Sequence, residues 1–247
     1  MMRNSLICFG LATGLIAGAA LANDEMLSQR ESGGVAFEAL TASQLEPVVP
    51  DSQLINFDVY RKNSKIGTHR FSFIEKEDEI EVSVDIDLEV DFLFITVFDY
   101  EHRIREFWKG GELVRLESET KQNSKTWDVE AETSSGDFVV NVEKGKKNKT
   151  DEVSTLRFDQ AHIPTSYWNI ELLRADKLFN TQTGELLEVE ISEAGYETVE
   201  AQGRMVEAVK VTIRGELEVD LWYDRRGELV KLAFSANDGS RVEYKRI

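Results

Sequence analysis

The sequence predicts a mainly β protein: a single curved antiparallel sheet or half-barrel of about ten strands, with one amphipathic helix packed against it. Three observations carry that expectation. From Leu54 onward, apolar and polar residues alternate with period two. Turns rich in Gly, Asn, Ser and Asp punctuate the alternation at short, regular intervals. One segment, near residues 166–179, keeps helical spacing instead.

The chain opens on an address. Residues 1–22, MMRNSLICFGLATGLIAGAALA, read as a secretory signal peptide: Arg3 is the only charge, Leu6 to Ala20 is apolar, and Ala20-Leu21-Ala22 fits an A-x-A cleavage site. The apolar run of about 15 residues falls short of the roughly 20 that span a bilayer, which favours a cleaved signal over an anchor. Removing these 22 residues from 247 leaves 225, and losing Arg3 moves the net charge from -17 to -18. Cys8 leaves with the signal, so the mature chain holds no thiol and must be held together by its core alone. No second apolar run reaches spanning length, so no transmembrane anchor is expected after cleavage. The expected location is secreted, in the periplasm.

Residues 23–52 are polar, contain Pro47 and Pro50, and read as a linker or arm. The β domain is expected over 53–247. Phe57 and Val59, then Ile66, His69, Phe71 and Phe73, flank the turn Lys62-Asn63-Ser64-Lys65. Val82, Val84, Ile86, Leu88 and Val90 alternate with Ser83, Asp85, Asp87, Glu89 and Asp91, giving the clearest strand in the chain. Phe92 to Phe98 is apolar on both faces, and the pattern continues through Tyr100, His102 and Ile104 to Trp108. Later strands return after Lys109-Gly110-Gly111-Glu112 and after Ser134-Ser135-Gly136-Asp137. Strands resume from Leu187, and Asn237-Asp238-Gly239 marks the closing hairpin. The helix is expected from Trp168, Leu172, Ala175 and Phe179, capped by Thr165 or Ser166.

Two hairpins share a design. Gly111-Glu112-Leu113-Val114-Arg115-Leu116 repeats in Gly227-Glu228-Leu229-Val230-Lys231-Leu232 at five of six positions, each after an aromatic strand end, Phe107-Trp108 and Trp222-Tyr223. Together with His162-Ile163-Pro164-Thr165-Ser166-Tyr167-Trp168-Asn169 and the opening Tyr60 and Ile66-Gly67-Thr68-His69, these segments resemble a family of secreted bacterial β-proteins known only as a domain of unknown function. The likeness covers roughly residues 53–247, and its motifs are structural rather than catalytic. The expected architecture is also similar to the half-barrels of periplasmic lipoprotein carriers such as LolA, a likeness of shape alone.

Composition bounds the chemistry. With 41% hydrophobic residues, 13 Phe, 6 Tyr and 4 Trp, the chain is a globular domain and not an acidic tail. A net charge of -17 makes it an acidic protein and argues against nucleic acid. Asp85, Asp87, Glu89 and Asp91 read as a solvated outer face in preference to a calcium site, since no glycine-containing loop surrounds them. Lys144, Lys146, Lys147 and Lys149 read as a solvated hairpin tip in preference to a lipid-headgroup patch. His69, His102 and His162 form no metal motif. No G-x-S-x-G, G-x-G-x-x-G or phosphate loop is present, so no cofactor is expected and no catalytic residue is assigned.

Aromatic excess is the most suggestive feature. Phe94, Phe98, Trp108, Trp168 and Phe179 are the candidates for lining a cavity between sheet and helix. The expected function is a non-enzymatic cell-envelope protein that binds a hydrophobic small molecule, a lipid or acyl chain. The alternative is an envelope assembly or scaffold protein that meets an envelope protein partner through strand edges or an acidic face.

Overall fold

A computed structural model describes residues 47–92, 95–146 and 149–247. The signal segment, most of the polar arm and Phe94 lie outside the described residues.

Strands β1 (Leu54–Arg61), β2 (Ser64–Lys76), β3 (Glu79–Phe92), β4 (Ile95–Lys109), β5 (Glu112–Gln122), β6 (Lys125–Ser134), β7 (Asp137–Lys146) and β8 (Lys149–Phe158) follow as a meander. A crossing segment leads to β9 (Lys177–Phe179), and β10 (Leu186–Ala201), β11 (Arg204–Gly215), β12 (Val219–Asp224), β13 (Leu229–Ser235) and β14 (Arg241–Arg246) complete the chain. All fourteen belong to one sheet in the order β8-β7-β6-β5-β4-β3-β2-β1-β14-β13-β12-β11-β10-β9. The count exceeds the expected ten partly because β8 is an edge strand: most of its residues are exposed, so alternation barely marks it.

At about 4.8 Å between neighbours, six steps across the sheet from β4 to β12 would separate them by roughly 30 Å if it were flat. Yet two consecutive residues touch both. The Trp168 ring meets that of Trp108 on β4 with centroids 5.4 Å apart. The Tyr223 hydroxyl of β12 donates to the Tyr167 carbonyl at 2.7 Å. The sheet is therefore curled into a trough, and residues 163–187 run through it. It does not close: β8 and β9 are its two ends.

The helix expected near 166–179 is absent. In its place stands a single 3-10 turn, Ile170–Arg174, begun by Asn169, whose side chain accepts from the Glu171 N–H at 2.9 Å. Ala175 is extended and ends it. Beyond, the Phe179 N–H donates to the Ile163 carbonyl and its carbonyl accepts from the Thr165 N–H, both at 2.9 Å. β9 also pairs with Leu186–Glu188 of β10. A helix would forgo these tertiary pairs. Burial points the same way, since Trp168, Ile170, Leu172, Leu178 and Phe179 are all buried. A segment enclosed by a sheet needs apolar residues all round, not one stripe.

Turn chemistry and bulges set the register. Gly110 and Gly111, with φ of 57° and 84°, make the two-residue β4–β5 hairpin whose twist matches that of its strands. The repeated hairpin design is real at this level. A bulge falls between Phe107 and Trp108 in one and between Trp222 and Tyr223 in the other. Each sends one aromatic inward just before the turn: Trp108 and Tyr223 both join the main core.

The acidic strand faces outward as the alternation predicts. Arg103 lies 3.5 Å from both Asp85 and Asp87 and 2.8 Å from Glu101, and Arg105 bridges Glu81 and Glu117. Among the described residues, no group of three or more His, Cys, Asp and Glu is placed to hold a metal ion. No helix among them is long and apolar enough to cross a membrane.

Strand β2 passes unusually close to β3 at Gly67. A Cβ there would sit 1.9 Å from the Asp87 carbonyl oxygen, so the backbones would have to separate. Gly67→Ala is expected to destabilise the protein by about 2 kcal/mol or more and lower Tm by roughly 4–8 °C. Thermal unfolding followed by circular dichroism checks this.

Candidate functional site

The interior of the trough has a packed half and an open half, and polar residues sit at the core of each.

In the packed half, Glu106 of β4 occupies an inward position between Ile104 and Trp108 and is fully buried. Its Oε2 accepts from both the Trp108 and the Trp168 indole N–H, at 2.9 and 2.8 Å. The two indoles pack edge-on, and Trp168 meets Phe73 in the same way. This carboxyl ties the crossing segment to the sheet. Burial pushes its pKa up from the usual carboxylate range, and the Ser166 hydroxyl and the two indole N–H groups act in the opposite direction.

In the open half, a cavity of about 90 Å³ lies between the sheet and the crossing segment. That is room for a short apolar group inside, and the cavity is partly open to solvent, so the rest of a longer molecule extends out of it. Its walls are largely aliphatic and aromatic: Val84, Leu88 and Ile104 from β3 and β4, and Val219, Leu232 and Phe234 from the far side of the trough. One end is polar. The residues there are His69 of β2, His102 of β4, and Ser166, Asn180, Thr181 and Gln182 of the crossing segment.

These polar groups divide into the satisfied and the orphaned. His102 is held from both sides, with Nε2 2.9 Å from the Thr181 hydroxyl and Nδ1 2.8 Å from the Thr120 hydroxyl. Ser118 donates to the Thr181 carbonyl, which anchors the crossing segment to β5. By contrast, both ring nitrogens of His69, Asn180 Nδ2 and Gln182 Nε2 have no protein partner, although none of these residues exceeds 5% exposure. Each such group costs about 1–3 kcal/mol when nothing meets it. Burial, aided by His102 nearby, pushes the His69 pKa down to about 3, and burial holds His102 at about 4. Both rings are therefore neutral at pH 7. His162, the third histidine, is half-buried, packs edge-on against Phe158 and does not line the cavity.

Of the aromatic candidates, Trp108 and Trp168 meet at Glu106, and Phe179 packs edge-on against Phe138 of β7 with centroids 5.6 Å apart. Phe98 is partly buried and stacks on Tyr100. Phe94 lies outside the described residues. The cavity wall is built from a different set: none of the four described candidates lines it, though Tyr100, the partner of Phe98, does. The sequence signal for the polar end is an exception to alternation. His69 and His102 take inward positions where their strand neighbours are Phe71, Tyr100 and Ile104, and Asn180-Thr181-Gln182 is a polar run that is buried.

An open antiparallel sheet curled around its own crossing segment defines a β-barrel-like protein. A crystal structure of a beta-barrel-like protein of the domain of unknown function DUF1849 from Brucella abortus is similar, with a TM-score of 0.55 at 14% identity, covering 78% of this chain and 94% of that one. No curated protein matches. Residues 57–247 match the model of the domain of unknown function DUF6134, and the chain belongs to that family.

Replacement of Glu106 separates its roles. Glu106→Ala leaves two buried indole N–H groups without an acceptor and is expected to cost about 2–5 kcal/mol. Glu106→Gln keeps an acceptor and removes the titration. Because the folded pKa is raised, the stability this carboxyl confers is present at low pH and is lost as pH rises through the folded value. Urea unfolding at pH 5 and pH 8 should therefore show Glu106→Gln gaining on the wild type as pH rises.

Proposed function

We propose that this protein is a secreted, periplasmic component of the cell envelope that binds a hydrophobic small molecule, a lipid or acyl chain, without performing a reaction on it. The observation that carries the reading is the cavity: apolar walls, with buried polar groups at one end that have no protein partner. Ligand sites combine these two features, a mostly apolar lining and a few placed polar groups. An interior that existed only for stability would lose nothing by replacing those groups with apolar ones.

The chemistry of the histidines supports carriage rather than catalysis. A ring whose pKa is held near 3 or 4 is a weak base at neutral pH. His102 has both nitrogens engaged by threonine hydroxyls and receives no carboxylate hydrogen bond that would orient it as a general base. The reading of residues 1–22 as a signal peptide supports the location. The ligand sits against the sheet and the extended crossing segment, in place of the helix the spacing suggested.

Phenylnaphthylamine, an uncharged apolar dye whose fluorescence rises in apolar surroundings, tests the reading. Saturable binding at one dye per chain is expected. Ile86→Trp, which fills the cavity from β3, should abolish it while Tm stays within a few degrees. Absence of dye binding, together with native mass spectra that show no co-purified molecule, would overturn the proposal.

A further inference from the structure

The polar end of the cavity has a chemical character that narrows the ligand. Asn180 Oδ1 accepts the Gln182 backbone N–H at 2.9 Å, which fixes the orientation of its amide. Its Nδ2 is therefore a true donor, and it has no protein partner. Gln182 Nε2 stands unpartnered on the same lining. The His69 ring lies against Phe71 with centroids 4.3 Å apart and edge-on to Tyr244 at 5.6 Å, and neither of its nitrogens is engaged. In its neutral form it offers one donor and one acceptor. The end is thus rich in uncharged donors.

Charge is matched in the opposite sense. No lysine or arginine is among the described residues lining the cavity, and the one carboxylate there is Glu218. An anion placed at the polar end would be desolvated without a counter-charge, beside two neutral histidines. A neutral acceptor would take the amide and imidazole hydrogens with no such penalty.

We infer that the ligand is an apolar molecule whose polar end is an uncharged hydrogen-bond acceptor, such as an amide or ester carbonyl or an alcohol, in preference to a free carboxylate or phosphate. The inference rests on the reading of the cavity as a ligand site. Asn180 Nδ2, Gln182 Nε2 and His69 hold that polar end, and the β3, β4 and β13 side chains hold the apolar body.

Two probes of equal chain length, decanamide and decanoate, isolate the head group when titrated into the full mature protein at pH 7.5 against bound phenylnaphthylamine. Decanamide should displace the dye with an affinity at least about tenfold above that of decanoate. Asn180→Asp keeps the acceptor for the Gln182 N–H but removes the donor, and His69→Phe removes both ring nitrogens. Each should weaken decanamide by about three- to tenfold relative to the wild type, with dye affinity measured separately for each variant. His69→Phe should also leave Tm unchanged or raised, a result opposite to that of losing a structural hydrogen bond. Decanoate binding as tightly as decanamide, or variants that bind decanamide like the wild type, would overturn the inference and leave the ligand site standing. Failure of the dye and both probes to bind would overturn the ligand site itself, and the inference with it.

Discussion

A sheet with one apolar face must bury that face. The strands therefore curl around residues 163–187, and the rest of the interior follows from how that segment is held. Its backbone is satisfied by a short bridge to itself and by β10. It is tied to the sheet at three separated places: the Trp168 indole donates to Glu106, and the backbone carbonyls of Thr181 and Tyr167 accept from Ser118 and Tyr223. Polar anchors of this kind fix a position in a way apolar packing alone does not, because each has a direction and a partner.

The same segment explains why the interior is uneven. Between Glu106 and β7, large side chains interlock: Trp108, Trp168, Phe138 and Phe179 fill the space with edge-on rings. Past Phe179 the segment carries Asn180, Thr181 and Gln182 instead of aromatics, and the facing strands carry His69 and His102. Small polar groups facing small polar groups across a curled sheet leave a gap. That gap has apolar walls because the neighbouring inward positions on β3 and β13 keep to the alternation. Departures from local rules concentrated at one place are a mark of function, since a chain selected for stability alone would remove them.

Much of the sheet is legible in the sequence because its two faces differ. Val82 to Val90 and their acidic neighbours read directly as inside and outside, and Arg103 and Arg105 meet those acids from the next strand. The glycine turn at 110–111 and the repeated aromatic hairpins are visible for the same local reason. The crossing segment was misleading because Trp168, Leu172, Ala175 and Phe179 fit helical spacing, while the residues between them, Ile170 and Leu178, are equally buried. Spacing cannot reveal enclosure on all sides. The cavity is the least legible feature, since it joins residues as distant as His69, His102, Asn180 and Tyr244. Its trace in the sequence is the placement of His69 and His102 at inward positions, which gains meaning only when the curl brings them together.

The central claim is that the orphaned groups of the polar end exist to meet a ligand. A crystal structure of the mature protein, purified without detergent from cells that export it, tests this most directly. The account predicts elongated density in the cavity, with its polar end within hydrogen-bond distance of Asn180 Nδ2 and His69. A cavity that is collapsed, with those side chains paired to one another, or one holding only ordered water, would contradict it.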